Sequence, residues 1–331
     1  MMMKNTLTTL LKTYGPTGRE EGVAEQIKKL LAGHVDAART DAMGNLIVTK
    51  NGEEGGKRIL FSAHMDHIGL VVTDVEDEGF LRVTNVGGLG VQGVNGRHVV
   101  FAGGVNGICV CQPVKTGEPA MNDLFVDIGA ADKQDALRRV NLGDVCVFAP
   151  ELFDLGEHKL AGPAMDDRSA CAVLVTLLLG LKNPKNTVVG VFSTQEEVGC
   201  RGALTAAYAE NPDIGVALDV TAWGDTPETK APAVRLGEGP AVKFMDRSMV
   251  ATPVVRDALL EAASLSHVKA QREILAFGGT DGGSIQRTRA GIPTGTLSIP
   301  CRYVHSATEV VDLRDLEGAV KLLNAFVGMS L

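Results

Sequence analysis

The chain has 331 residues, 45% apolar and 22% charged, with a formal net charge of -8, which supports a large core in one or two domains and excludes a disordered protein. The acidic balance, with nothing more basic than the run Leu137-Arg138-Arg139-Val140, argues against nucleic acid as a partner. No apolar run reaches the roughly 20 residues that cross a bilayer, and the N-terminal stretch does not read as a cleavable leader, so a cytoplasmic protein without membrane contact is expected.

In chain order, the first helix is expected after Thr17, with Thr17 and Glu20 as a capping box and Val23, Ile27, Leu30 and Leu31 on one face. Two strands follow, NLIVTK (45–50) and RILFSA (58–63), the second apolar throughout and so suited to a buried position. From about Leu70 the texture becomes short β-like runs separated by glycines, interrupted once by the helical stretch AADKQDALRRV. After Gly162, strands (TVVGVFST, IGVALDV) alternate again with helices (RSACAVLVTLLLGL, GALTAAYAE, TPVVRDALLEAASL). That alternation predicts an α/β fold: a mainly parallel sheet flanked by helices, split by an inserted all-β domain. The divisions read as 1–69 and 160–331 for the catalytic domain and 70–159 for the insertion. Six cysteines without C-x-x-C spacing are expected as reduced, mostly buried thiols.

Five segments carry the chemistry: SAHMDHIG, GPAMDDRSA, STQEEVG, VALDVT and RYVHSATE. Four directly follow a predicted strand, and ligands of open α/β sheets bind beyond the carboxyl ends of strands. Together they supply His64, Asp66, Asp166, Asp167, Glu196, Glu197, Asp219 and His305. Any one of these alone is more simply a core histidine, a cap or a wet loop. As a set of imidazoles and carboxylates they suit a first-row divalent ion, because converging carboxylates repel unless cations offset them. Asp66, alternate to His64 on a strand, is placed to hold the other ring nitrogen of that histidine; His67 falls on the opposite face.

These segments, in this order, with LFVDIGAADKQDA, WGDTPE, FGGTDGGSIQ and GIPTGTLSIPCRYVHSATE, resemble the dinuclear metallo-aminopeptidase family of glutamyl aminopeptidases and tetrahedral aminopeptidases, over essentially the whole chain. The resemblance implies that Asp166 bridges two divalent metal ions, zinc in the first instance with cobalt or manganese as substitutes. One ion would also be held by His64 and Asp219, the other by Glu197 and His305. It further implies a cis peptide between Asp166 and Asp167, Glu196 as general base, and Asp66 as its companion in catalysis. The adjacent glutamates then have separate roles. The implied activity is removal of N-terminal residues from short peptides by a water that two metal ions activate. The implied assembly is a homo-oligomer, a dodecamer built from dimers, in which the β insertion serves as the dimerisation domain.

The family often has a glutamate at the position of His67, a departure that touches local detail and not the ligand set. Thr280 and Asp281 are candidate pocket residues, Arg302 and Tyr303 candidate substrate contacts, and Arg168 has no catalytic part. Two other readings compete. A deacylase or carboxypeptidase on a related dinuclear scaffold would treat N-terminally blocked peptides differently, and a non-catalytic oligomeric metal-binding protein would not need Glu196.

Overall fold

The computed structural model describes residues 2–114, 117–227, 229 and 233–331. The chain opens with helices α1 (Met2–Leu11) and α2 (Glu21–Leu31), then strands β1 (Ala37–Thr40), β2 (Leu46–Lys50) and β3 (Arg58–His64). Next come β4 (Gly69–Val75), β5 (Leu81–Val86), the single turn α3 (Val91–Val94), β6 (Arg97–Phe101), β7 (Asn106–Cys111), β8 (Leu124–Asp127), α4 (Lys133–Leu137) and β9 (Val145–Phe148). The chain returns through β10 (Phe153–Leu155) and β11 (Lys159–Gly162) to α5 (Met165–Gly180), β12 (Thr187–Ser193), α6 (Arg201–Glu210), β13 (Ile214–Thr221) and β14 (Ala241–Met245). It finishes with α7 (Pro253–Leu265), β15 (Gln271–Ile274), α8 (Asp281–Gln286), β16 (Thr294–Arg302), β17 (Glu309–Asp312) and α9 (Leu313–Gly328).

The fold is α/β, as expected. One sheet of eleven strands runs β1-β2-β12-β3-β13-β16-β17-β11-β10, with β14 joined to β16 and β15 to β14. Its centre, β12-β3-β13-β16, is parallel, and antiparallel strands lie to either side. Buried on both faces, β3 and β13 have no alternation of apolar and polar residues. Beyond its polar first turn, helix α5 is almost wholly apolar on every side because it packs under the sheet between α1 and α9, with every residue from Met165 to Leu178 buried. Strands β4 to β9 close into a separate antiparallel barrel, order β4-β5-β8-β7-β6-β9, around its own apolar core.

Two local expectations give way. The Thr17–Glu20 capping box does not form: Glu20 precedes α2 without a side-chain cap, the Thr17 hydroxyl donates to Asp66, and Glu20 Oε1 accepts the backbone N–H of Gln195. A helix also precedes it, since α1 buries Met3, Leu7, Leu10 and Leu11. Strand β10 pairs with β11 at the edge of the large sheet, so the barrel closes at β9, before the boundary expected at residue 159. All six cysteines are free, and four of them are buried. Among the described residues no helix is long and apolar enough to cross a membrane.

Candidate metal centre

The four parallel strands end side by side, and their C-terminal ends carry or immediately precede the polar residues singled out above. His64 ends β3, Glu196 and Glu197 follow β12, Asp219 lies near the end of β13, His305 follows β16, and Asp166 enters α5 beside them. Register explains the convergence: Ser193 of β12 pairs with His64 of β3, and β13 lies on the other side of β3.

His64 Nε2 lies 3.0 Å from Asp166 Oδ1 and 3.8 Å from Asp219 Oδ1. His305 Nε2 lies 3.2 Å from both Asp166 Oδ2 and Glu197 Oε2. Two groups of donor atoms result, His64-Asp166-Asp219 and Asp166-Glu197-His305, each gathered within 4.8 Å and both containing Asp166. The peptide bond between Asp166 and Asp167 is cis.

Whether the residues suit a cation can be judged from their unmet valences. Asp166 Oδ1 and Glu197 Oε1 are buried and make no hydrogen bond; Asp166 Oδ1 is near enough to His64 for an ion pair yet not aligned for a hydrogen bond. No lysine or arginine pairs with Asp166, Glu196, Glu197 or Asp219 among the described residues. Burying a carboxylate oxygen without a partner is costly, and a divalent ion would meet the need of every atom in each group. The donors fit a borderline metal such as zinc.

The electrostatics agree. Burial raises the Asp219 carboxyl to about 6, and raises Glu197 and, well above its usual range, Glu196. Burial would lower His305, but the Asp166 and Glu197 carboxylates beside its ring push it up to about 12. Asp166, although buried, is held below the usual carboxylate range by the His305 and His64 imidazoles beside it.

Behind these donor groups lies a layer that sequence reading assigned only in part. Asp66 was expected to orient His64 through its carboxylate. It does so mainly through its backbone carbonyl, 3.0 Å from His64 Nδ1, with the carboxylate at 3.6 Å. That carboxylate instead accepts the backbone N–H groups of Glu196 and Glu197 at 3.0 and 3.3 Å and the Thr17 hydroxyl at 2.8 Å, so it fixes the loop that carries both glutamates. Glu309, which sequence reading passed over within RYVHSATE, accepts the N–H of Asp166 at 3.1 Å and that of His305 at 2.6 Å, and burial raises its carboxyl to about 8. Asp167 accepts the backbone N–H of His64 at 3.3 Å.

A cavity of about 730 Å³ opens over the two groups, bordered by Glu196, Asp219, His305, Trp223, Phe277 and Lys243 among others. The barrel reaches this rim through a glycine pair. A Cβ on Gly88 would stand 2.7 Å from His305 Nδ1, and one on Gly87, whose φ is +81°, would crowd Glu197. Thr280 and Asp281, taken as pocket candidates, lie behind the cavity wall: Thr280 caps α8 through the N–H of Gly282, and Asp281 accepts the hydroxyls of Ser62 and Ser193. Arg302 turns to a two-pronged pair with Asp225, and Tyr303 packs edge-on to Trp223. His67 is buried, with its ring bonded to the Ile68 carbonyl and its pKa depressed by burial to about 3, so it is neutral.

A family model described as M42 glutamyl aminopeptidase matches residues 44–322. A relative from Acetivibrio thermocellus, named as a candidate aminopeptidase, is 42% identical over 330 residues, which is 97% of this chain and 98% of its own. Among solved structures, an aminopeptidase from the archaeon Desulfurococcus kamchatkensis superposes with a TM-score of 0.95 at 35% identity, covering 99% of this chain and 95% of that one. The TET1 peptidase of Pyrococcus horikoshii, described as assembling into a tetrahedron or a large octahedral shell, superposes with a TM-score of 0.89 at 33% identity, covering 99% and 100%.

Proposed function

The chain belongs to the M42 glutamyl aminopeptidase family, and from that premise we propose that it is a metal-dependent aminopeptidase that removes N-terminal residues from short peptides. The observation that carries the metal-dependent part is the pair of donor groups sharing Asp166, with buried carboxylate oxygens lacking any other partner. Asp166, His64 and Asp219 would hold one divalent ion, and Asp166, Glu197 and His305 a second; zinc suits these ligands, with cobalt or manganese as substitutes. When bound, such ions supply Lewis acidity toward a peptide carbonyl and acidify water.

The remaining work falls to the chain itself. Glu196 borders the cavity without belonging to either donor group, so its carboxylate is free to accept a proton from the attacking water and hand it to the leaving amine. Proton transfer of this kind is worth about 10² to 10⁴ in rate. Asp66 aims that carboxylate by holding the Glu196 backbone, and Glu309 keeps Asp166 and His305 in register with each other. The free amine of a peptide, in its neutral form, would serve as a ligand to one of the two ions, which suits removal of the first residue only.

Assembly into a homo-oligomer of dimers, up to a dodecamer, is part of the same reading, with the insertion, whose barrel runs from β4 to β9, as the dimerisation domain. Support comes from the shells described for the Pyrococcus horikoshii peptidase and from Ile108, Leu137 and Leu142, apolar side chains that the barrel leaves exposed. Free cysteines accord with a reducing, cytoplasmic setting.

The test is to strip the protein with a chelator, restore zinc, cobalt or manganese singly, and offer matched peptides with free, N-acetylated or C-amidated ends. Hydrolysis should return with metal, release only the first residue, ignore the C-terminal amide and fail on the N-acetylated peptide. Cleavage of the N-acetylated peptide would point to a deacylase instead.

A further inference from the structure

Next to the two groups that share Asp166, a third set of donor atoms converges from different residues. Glu196, Cys200 and Asp281 each bring one ligand atom within 4.8 Å of the others. Cys200 sits at the turn before α6, and its Sγ lies 3.0 Å from Glu196 Oε1. Asp281, only 2% exposed, opens α8 from below. Its Oδ2 accepts the hydroxyls of Ser62 and Ser193 at 2.7 and 2.6 Å, while its Oδ1 is buried with no partner.

This arrangement is poorly explained as packing. Two carboxylates and a thiol share one spot, no lysine or arginine pairs with any of them among the described residues, and one carboxylate oxygen is shut away from water without a donor, which is costly. A hydrogen bond from the thiol accounts for Glu196 Oε1 and leaves Asp281 Oδ1 unexplained. A cation accounts for all three. Glu196 and Cys200 border the large cavity, so an ion has an entry path, and three protein ligands with an open position match the coordination zinc accepts. Sulfur makes the set selective: a thiolate favours zinc or cadmium over magnesium or manganese.

We propose that Glu196, Cys200 and Asp281 form a separate inhibitory cation site, which takes a thiophilic divalent ion present in excess and thereby withdraws the Glu196 carboxylate from proton transfer. On binding, the thiol proton leaves to solvent and sulfur ligates as thiolate. The inhibitory half of the proposal rests on Glu196 being the general base; the existence of the site does not.

The protein, first loaded with the metal that supports hydrolysis, is titrated with Cd²⁺, Zn²⁺ and Mn²⁺ separately while hydrolysis and near-ultraviolet absorption are followed, each variant being compared with its own rate before the addition. Cd²⁺ should produce a thiolate-to-metal charge-transfer band together with loss of hydrolysis, and Zn²⁺ should inhibit without Mn²⁺ doing so. Cys200→Ser and Cys200→Ala should abolish the band and raise the inhibiting concentration of Cd²⁺ and Zn²⁺ by about tenfold or more. No cysteine belongs to the groups around Asp166, so a band that vanishes in both variants reports this site alone. A band that persists in both variants, or no band at all, overturns the site. A Cys200-dependent band with hydrolysis undiminished overturns the inhibition and, with it, the role of Glu196, while metal-dependent hydrolysis by the groups around Asp166 is judged separately.

Discussion

Asp166 and Arg168 stand two residues apart at the start of α5, both buried, and the protein treats their charges in opposite ways. Arg168 is fully enclosed, and every nitrogen of its guanidinium is spent on a backbone carbonyl: Nε on Met65 at 2.8 Å, Nη1 on Leu10 and Thr13 at 2.7 and 3.1 Å, Nη2 on Gly15 at 3.1 Å. Burial lowers its pKa to about 10, which leaves it cationic at neutral pH. Asp166 borders the cavity with a buried oxygen that makes no hydrogen bond, the His64 ring standing beside it unaligned. A buried charge that serves architecture is saturated by fixed neutral partners, tying α1 and the turn after it to α5. A buried charge that serves binding is left open on the side where its partner must come and go.

That contrast can be pressed by mutation. Asp166→Ala removes a donor common to both groups, so metal content should fall together with hydrolysis, by more than the 10⁴-fold or so that loss of a general base can cost; elemental analysis and peptide turnover read the two effects. Glu196→Gln should lower turnover by about 10² to 10⁴ while metal content stays unchanged, and full activity in that variant would move the base elsewhere. Arg168→Met leaves four carbonyls without their donor and should destabilise the fold by about 3–5 kcal/mol in denaturant titration, with near-normal turnover by the protein that remains folded. Glu309→Gln keeps one acceptor where two N–H groups need one, and metal affinity should drop about 10- to 100-fold, measured by competition with a chromophoric chelator.

The same contrast governs what could be read in the sequence. The strands that build the centre announce themselves as unbroken apolar runs, and β3, β12 and β13 sit where RILFSA, TVVGVFST and IGVALDV place them. The barrel strands β4 to β7 and β9 were legible from short β-like runs between glycines. Side chains whose partners are distant were not legible. Thr17 and Glu20 satisfy a local capping rule on paper, yet their partners, Asp66 and the backbone of Gln195, lie 49 and 175 residues away. Capping chemistry and long-range hydrogen bonding compete for the same oxygens, and only the folded chain shows which prevails. Glu309 escaped notice for the same reason: nothing in its neighbourhood reveals that it accepts the backbone N–H of Asp166, 143 residues earlier. Helix α1 was missed because its apolar face, Met3, Leu7, Leu10 and Leu11, sits in a stretch without a cap or a Gly stop to mark it.

The central claim is that the carboxylates and imidazoles around Asp166 are completed by divalent cations. Diffraction from zinc-loaded crystals, recorded on both sides of the zinc absorption edge, tests it most directly. The account predicts two anomalous peaks at Asp166 in each subunit, one among His64, Asp166 and Asp219 and the other among Asp166, Glu197 and His305, whether or not zinc is also found at Cys200. An empty map at Asp166 in protein that hydrolyses peptides, with any zinc found elsewhere, would contradict it.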